Sequence, residues 1–398
     1  MKKIILPVFT LLLACNLSFA QQLNFGDYHN HRKSLTNSFL KFKNKKEGRV
    51  VFLGGSITHN PGWRDSVMMF LQQKFPKTDF DFINAGIPSM GSTPGAFRFR
   101  RDVLKNGPVD LLFVEAAVND AANQRTSDEI IRGIEGIVRH ALQENSTTDL
   151  VMMHFVDPGK MNVYRKGEVP KVIQLHEKVA EHYAISTINL AKEVTERIDA
   201  GEFDWENDFK NLHPSPFGQN IYYKSIKTFL ENECKKDFSN EKITEAKIPR
   251  LLDPNSYTKG VLIEPNPPSP IEGWKLVENW KPKDDAATRP NYVNVPMLVG
   301  IYPGNVIKFP FQGNAVGIAV AAGPDAGIIE YSIDNSLWQK VDLFTKWSEK
   351  LHLPWYYTLV SGLKNRKHML QIRMTNDNNP KSTGKVCRLR YFYFNYAE

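Results

Sequence analysis

The sequence predicts a three-layer α/β/α domain on a mostly parallel sheet, followed by an all-β domain. Three observations carry this. Between Arg49 and about Lys236, short apolar runs alternate with amphipathic ones, the pattern of strands covered on both faces by helices. After Phe238 the alternation stops, and Lys242–Ser269 is rich in Pro, Lys and Asn without periodicity. From Gly273 onward the chain consists of short β-type runs separated by turn sequences such as Gly323–Gly327 and Asn376–Pro380.

Taken in order, the first twenty residues read as an export signal. Lys2 and Lys3 form a basic start, Ile4–Ala14 an apolar core, and Ser18-Phe19-Ala20 a small-x-small cleavage site. The apolar run of about eleven residues is too short to span a bilayer. Leu12–Cys15 also fits a lipoprotein cleavage box with lipid on Cys15, but a soluble mature chain starting near Gln21 is the favoured reading. Strands are expected at Val50–Leu53, Asp81–Asn84, Leu111–Glu115, Leu150–His154 and Ser186–Asn189. Helices are expected at Trp63–Lys74, Ala96–Leu104, Ser127–Gln143, Lys171–His182, Ala191–Asp199 and Phe217–Cys234. Right-handed crossovers make a flavodoxin-like strand order the simplest. In the second half, β-runs fall at Val306–Phe309, Val316–Val320, Ile328–Ile333, Tyr357–Val360, His368–Met374 and Cys387–Phe394, which suggests a β-sandwich. The expected division is a signal at 1–20, the α/β domain at 21–241, a linker at 242–269 and the β-sandwich at 270–398, two domains being usual for 398 residues.

Composition narrows the partners. The formal charge is +8 and falls to +6 without Lys2 and Lys3, and basic residues are interleaved with acids, which argues against nucleic acid. Beyond Cys15 only Cys234 and Cys387 remain, so no disulfide framework exists.

The chemistry begins at Val50–Thr58. A buried strand stops at Gly54-Gly55, and Ser56 follows on a tight turn before the next helix, at the sheet edge where open α/β folds place their sites. Asn84–Thr93 leaves the second strand at that edge, where Gly91 can bring a backbone N–H to a developing oxyanion. The third strand ends in Asn119-Asp120, and a carboxamide there supplies further donors. Leu212-His213-Pro214-Ser215-Pro216 holds a histidine on a rigid loop before the last helix. An imidazole near its reference pKa of about 6.5 is the base a serine nucleophile needs. Each segment alone has an ordinary reading as a turn or helix cap; four of them in this order are harder to dismiss.

With those residues in view, about Arg49 to Cys234 resembles the SGNH (GDSL-type) hydrolases, in a Gly-Gly-Ser-Ile-Thr variant of the first block. The resemblance implies Ser56 as nucleophile and His213 as base. It implies an oxyanion hole of the Ser56 and Gly91 N–H groups with the Asn119 side chain, and ester hydrolysis without metal or organic cofactor. Two positions depart from the family: Lys210 stands where an Asp usually precedes the His by three, and Ala117 where the third block usually has Gly. Asp208 is therefore the expected orienting carboxylate, with Asn211 or a backbone carbonyl as fallback.

Substrate contacts are expected from two further residues. His154 ends the fourth strand and either lines the substrate pocket or packs in the core; Arg100, among Arg98, Arg100 and Arg101, is the arginine expected at substrate, the alternative being a solvated helix face. His29-Asn30-His31 has metal-site spacing but no carboxylate pair at ligand spacing, so no metal is expected. Val156–Arg165 is expected as a polar loop walling the substrate, without the apolar lid of a lipase. Trp274, Trp280, Trp338, Trp347, Trp355, Tyr356 and Tyr357 serve either as core or as platforms for sugar rings. The expected function is a secreted or periplasmic serine esterase removing short acyl groups, chiefly acetyl, from a carbohydrate. A general acyl esterase or lipase and a non-catalytic glycan-binding protein are the alternatives.

Overall fold

In the computed structural model of the chain, residues 23–267 and 271–396 are described; the expected export signal and Cys15 lie outside them. The first sheet has six strands: β1 His29–Asn30, β2 Glu47–Gly54, β3 Asp79–Gly86, β4 Leu111–Glu115, β5 Asp149–Met153 and β6 Ser186–Ile188. Their spatial order is β1-β6-β5-β4-β2-β3. β2 to β6 are parallel in the flavodoxin-like order expected, and β1 closes the edge antiparallel to β6. Val50–Leu53 and Leu111–Val114 are buried on both faces, which explains their unbroken apolar character.

The helices are α1 Thr36–Asn44, α2 Ser56–His59, α3 Trp63–Lys74, α4 Ser92–Asp102, α5 Ala117–Ala122, α6 Ser127–Glu144, α7 Pro158–Tyr164, α8 Lys171–His182, α9 Leu190–Asp199 and α10 Pro216–Cys234. α4, α6 and α8 pack side by side in one layer; α3, α10 and α9 form the other. Start signals recur in the sequence: Thr126 and Glu129 make a capping box on α6, and Ser215 caps α10 with Pro216 in its first turn. The segment expected as a wall loop is helical instead. Asp157 caps α7 at the Lys160 N–H, and Pro158 occupies its first position.

The second domain contains β7 Gly260–Ile263, β8 Trp274–Trp280, β9 Ala287–Thr288, β10 Val295–Gly300, β11 Ile307–Ala322, β12 Gly327–Ile333, β13 Gln339–Asp342, β14 Leu351–Asn378 and β15 Cys387–Asn395. They form one nine-stranded sheet, antiparallel except for a two-residue parallel contact of β9 with β14. The sandwich is thus a single sheet curled over itself. Runs that read as separate strands are halves of β11 and of β14, which bend together where Gly313 takes φ +156° and Gly362 φ +85°. Along β11, Val316, Ile318 and Val320 point into the curl, while Ala315, Ala319 and Ala321 face the first domain.

That second face is covered by α4. Phe97 packs on Tyr257 and Tyr393 with ring centres 4.7 and 4.4 Å apart, and Arg101 lies over the Tyr391 ring. Between the domains, residues 242–259 are tied down: fully buried Glu135 on α6 accepts the Leu252 and Asp253 N–H groups and the Ser256 hydroxyl. Cys234 and Cys387 are both free thiols.

Candidate active site

The switch in strand order falls between β2 and β4, and the elements leaving their carboxyl ends meet above that crevice. β2 ends at Gly54; Gly55 precedes Ser56, the first residue of α2. Ser56 is half-buried, and its Oγ lies 2.7 Å from His213 Nε2. The turn beneath it is stapled by Arg98, which is fully buried and donates to the carbonyls of Ala85 and Gly54.

The His213 loop is fixed from several sides. Asn211 Oδ1 accepts the His213 N–H, the Ser215 N–H donates to Phe209 O, and the Ser215 hydroxyl donates to Asp208 O. Phe209, fully buried, packs on Trp205 and Tyr222. Burial, and then the positive charge of Arg289, hold the His213 imidazole below its ordinary pKa. The ring is therefore neutral at neutral pH and free to accept the Ser56 proton.

Asn119, on α5, comes to the same place. A Cβ added to Gly55 would stand 2.0 Å from Asn119 Oδ1, so the carboxamide rests directly on the Gly55 backbone. Gly91 precedes α4, and a Cβ there would meet Asp120 Oδ1 at 2.2 Å. Both positions need glycine because a side chain already fills the space. Ser56, Gly91, Asn119 and His213, separated by more than 150 residues of chain between Ser56 and His213, thus gather at one rim.

Three sequence candidates are elsewhere. Asp208 does not reach the His213 ring: its Oδ2 accepts the Asp204 N–H, and the loop turns away through Lys210 at φ +82°. Among the described residues, no carboxylate hydrogen-bonds that ring. His154 is fully buried and faces α8, bonded to Glu177 at 2.9 Å, so it has no surface to offer a substrate. Arg100 is exposed in a recess with His140, Glu144 and Thr258, none of them a site residue. Arg101 instead pairs with Asp102. His29 and His31 bond Ser225 and Glu233, and the described residues contain no group of three side chains placed to hold a metal. Of the aromatics, Trp274, Trp280 and Tyr356 are core, while Trp347 is 47 % exposed.

Sequence reasoning missed Arg289. It follows β9 in the second domain, its N–H donates to the His352 carbonyl, and its charge acts on His213 across the domain boundary. Nothing local in the sequence marks it.

A model of the GDSL-like lipase/acylhydrolase family matches residues 52–221, a stretch that holds Ser56, Gly91, Asn119 and His213. The chain carries a domain that resembles this family over that stretch. It is accordingly a carboxylic ester hydrolase, and the matched stretch runs from within β2 into α10. None of the curated proteins matches the sequence. Among solved structures, a two-domain esterase active on acetylated mannans, co-crystallised with mannopentaose, superposes with a TM-score of 0.77. The two are 19 % identical, over 95 % of this chain and 99 % of that one. A second structure of a two-domain esterase active on acetylated mannans gives 0.74 at 18 % identity, over 95 % and 100 %. The GDSL domain and the curled β-domain together therefore share that two-domain fold. No helix of the described residues is long and apolar enough to cross a membrane.

Proposed function

We propose that the chain is an exported serine esterase that removes acetyl groups from a polysaccharide. The observation that carries this is the 2.7 Å contact between Ser56 Oγ and His213 Nε2 beside the Asn119 carboxamide. Ser56 Oγ attacks the ester carbonyl while His213 Nε2 takes its proton. The Ser56 and Gly91 N–H groups and Asn119 Nδ2 hold the oxyanion; one such donor is worth about 3–4 kcal/mol in a dry site. His213 then protonates the departing sugar oxygen. Water, activated by the same nitrogen, releases acetate from Ser56.

With no carboxylate among the described residues on its ring and with the Arg289 charge acting on it, His213 is a weaker base and a stronger acid than an ordinary histidine. That balance suits departure of a sugar alkoxide, the more basic product. Support for an acetylated glycan comes from the two-domain esterase with the same architecture and from the export signal expected at 1–20. Acetate release from a panel of acetylated plant and bacterial glycans, compared between wild type and Ser56→Ala, tests the proposal. Turnover should fall by at least about 10³-fold in the variant. Preference for long-chain p-nitrophenyl esters, or wild-type inactivity on every ester, would overturn it.

A further inference from the structure

Asp120 follows Asn119, and its side chain is fully buried. Its Oδ1 accepts the Ser92 N–H at 2.8 Å, and its Oδ2 meets His176 Nε2 at 3.0 Å. The close approach to Gly91 places the same Oδ1 flat against the Gly91–Ser92 peptide. His176 comes from α8, is fully buried as well, and meets the His154 ring edge-on at 5.7 Å. A second tie lies at the far end of the turn, where Asn123 Nδ2 donates to Ser89 O. Burying ionisable groups is costly unless they are paired and hydrogen-bonded, as these two are. This pair touches neither Ser56 nor His213, so acyl transfer does not use it directly.

The two donors it lies between arise on different elements. Gly91 belongs to the turn after β3, and Asn119 to the helix after β4; no strand or helix joins them. Donors must be held within about 0.5 Å of positions that lie roughly 2.7–3.1 Å from the oxyanion. Asp120 is on the helix that carries Asn119 and bonds the turn that carries Gly91. We infer that Asp120, held by His176, is a positioning residue that fixes the separation of the two oxyanion donors. This rests on the esterase reading above.

The test uses the full chain with p-nitrophenyl acetate and the variants Asp120→Ala, His176→Leu, His176→Gln and Asn119→Ala. Asp120→Ala and His176→Leu lower kcat by about tenfold or more while KM moves less than about twofold. His176→Gln keeps an N–H that reaches the carboxylate and restores kcat to within about threefold of wild type. Asp120→Ala combined with Asn119→Ala loses less than the product of the two single losses, because the separation Asp120 sets matters only while both donors are present. Circular dichroism and melting curves establish that each variant is folded. A folded Asp120→Ala protein with wild-type kcat, or losses that multiply in full, overturns the inference. If Asp120→Ala does not fold, equal activities of His176→Leu and His176→Gln overturn it. A wild type without Ser56-dependent turnover overturns the esterase reading and this inference together; an active wild type with a silent Asp120 overturns this inference alone.

Discussion

Replacing Gly55 by alanine perturbs the Asn119 donor without changing Asn119. The new Cβ would stand 2.0 Å from Asn119 Oδ1 and 3.3 Å from the Met90 carbonyl oxygen. Side-chain carbons do not approach other atoms below 3.0 Å, so the carboxamide must withdraw by about 1 Å. A misplacement of about 1 Å at a reacting centre costs on the order of 10²-fold in rate. That corresponds to about 2.7 kcal/mol of barrier. The Met90 contact asks only a few tenths of an ångström of the backbone, and Gly55 has φ −92°, outside the left-handed region, so the damage concentrates on the carboxamide. Initial rates on p-nitrophenyl acetate should show kcat lowered on the order of 10²-fold with KM nearly unchanged. Asn119→Ala should lose as much or more, and the double variant should match Asn119→Ala. A folded Gly55→Ala protein with kcat within about threefold of wild type would refute the placement of Asn119 in the oxyanion site.

Three further outcomes are expected from the same geometry. Arg289 helps hold the His213 pKa down, so Arg289→Gln raises it; the acidic limb of the kcat/KM profile then moves to higher pH, and a shift the other way would exclude the contact. Asp208→Asn leaves kcat within about threefold of wild type, because the carboxylate holds the Asp204 N–H and not the imidazole; a hundredfold loss would restore it to the catalytic group. Burial pushes the Glu115 carboxyl up to about 7 from an unfolded value of 4.5. The folded state therefore binds the extra proton between those values, and stability present below about pH 4.5 is lost as pH rises through about 7, by on the order of 3 kcal/mol at most. Glu115→Gln keeps an acceptor for the Val118 N–H and should flatten that loss in melting temperatures recorded from pH 5 to 8.

What the sequence discloses is what local patterns encode. Val50–Leu53 and Leu111–Glu115 are readable because a strand buried on both faces has no polar residue to interrupt it. Trp63–Lys74 and Lys171–His182 appear with the expected ends because their apolar spacing is helical throughout. β11 and β14 are harder, since Gly313 and Gly362 look like the turns between strands and are bends within them. α7 carries its own signal in Asp157-Pro158, a cap with a first-position proline, masked by the polarity of Lys160, Asn162 and Arg165. Spacing and strand order place Asp208 and His154 at the site, but both roles depend on side-chain direction. A positive φ at Lys210 turns the one away, and the inward pleat at the end of β5 buries the other.

The second domain affects the rim at a distance. α4 begins one residue after Gly91 and is clamped between α6 and the curled sheet, with Phe97 wholly buried against Tyr257 and Tyr393. Aromatic pairs of this kind contribute about 0.5–1.5 kcal/mol each beyond the area they bury. α5 is held from the same side: past its end, Arg125 donates from its backbone to Asp120 O and from Nη2 to Tyr356 O of β14. Both elements that supply donors besides Ser56 therefore lean on the β-domain. Removing the β-domain would uncover Phe97 and release the restraints on α4 and α5 together. The curled sheet thus forms part of the structure that holds the proposed oxyanion donors.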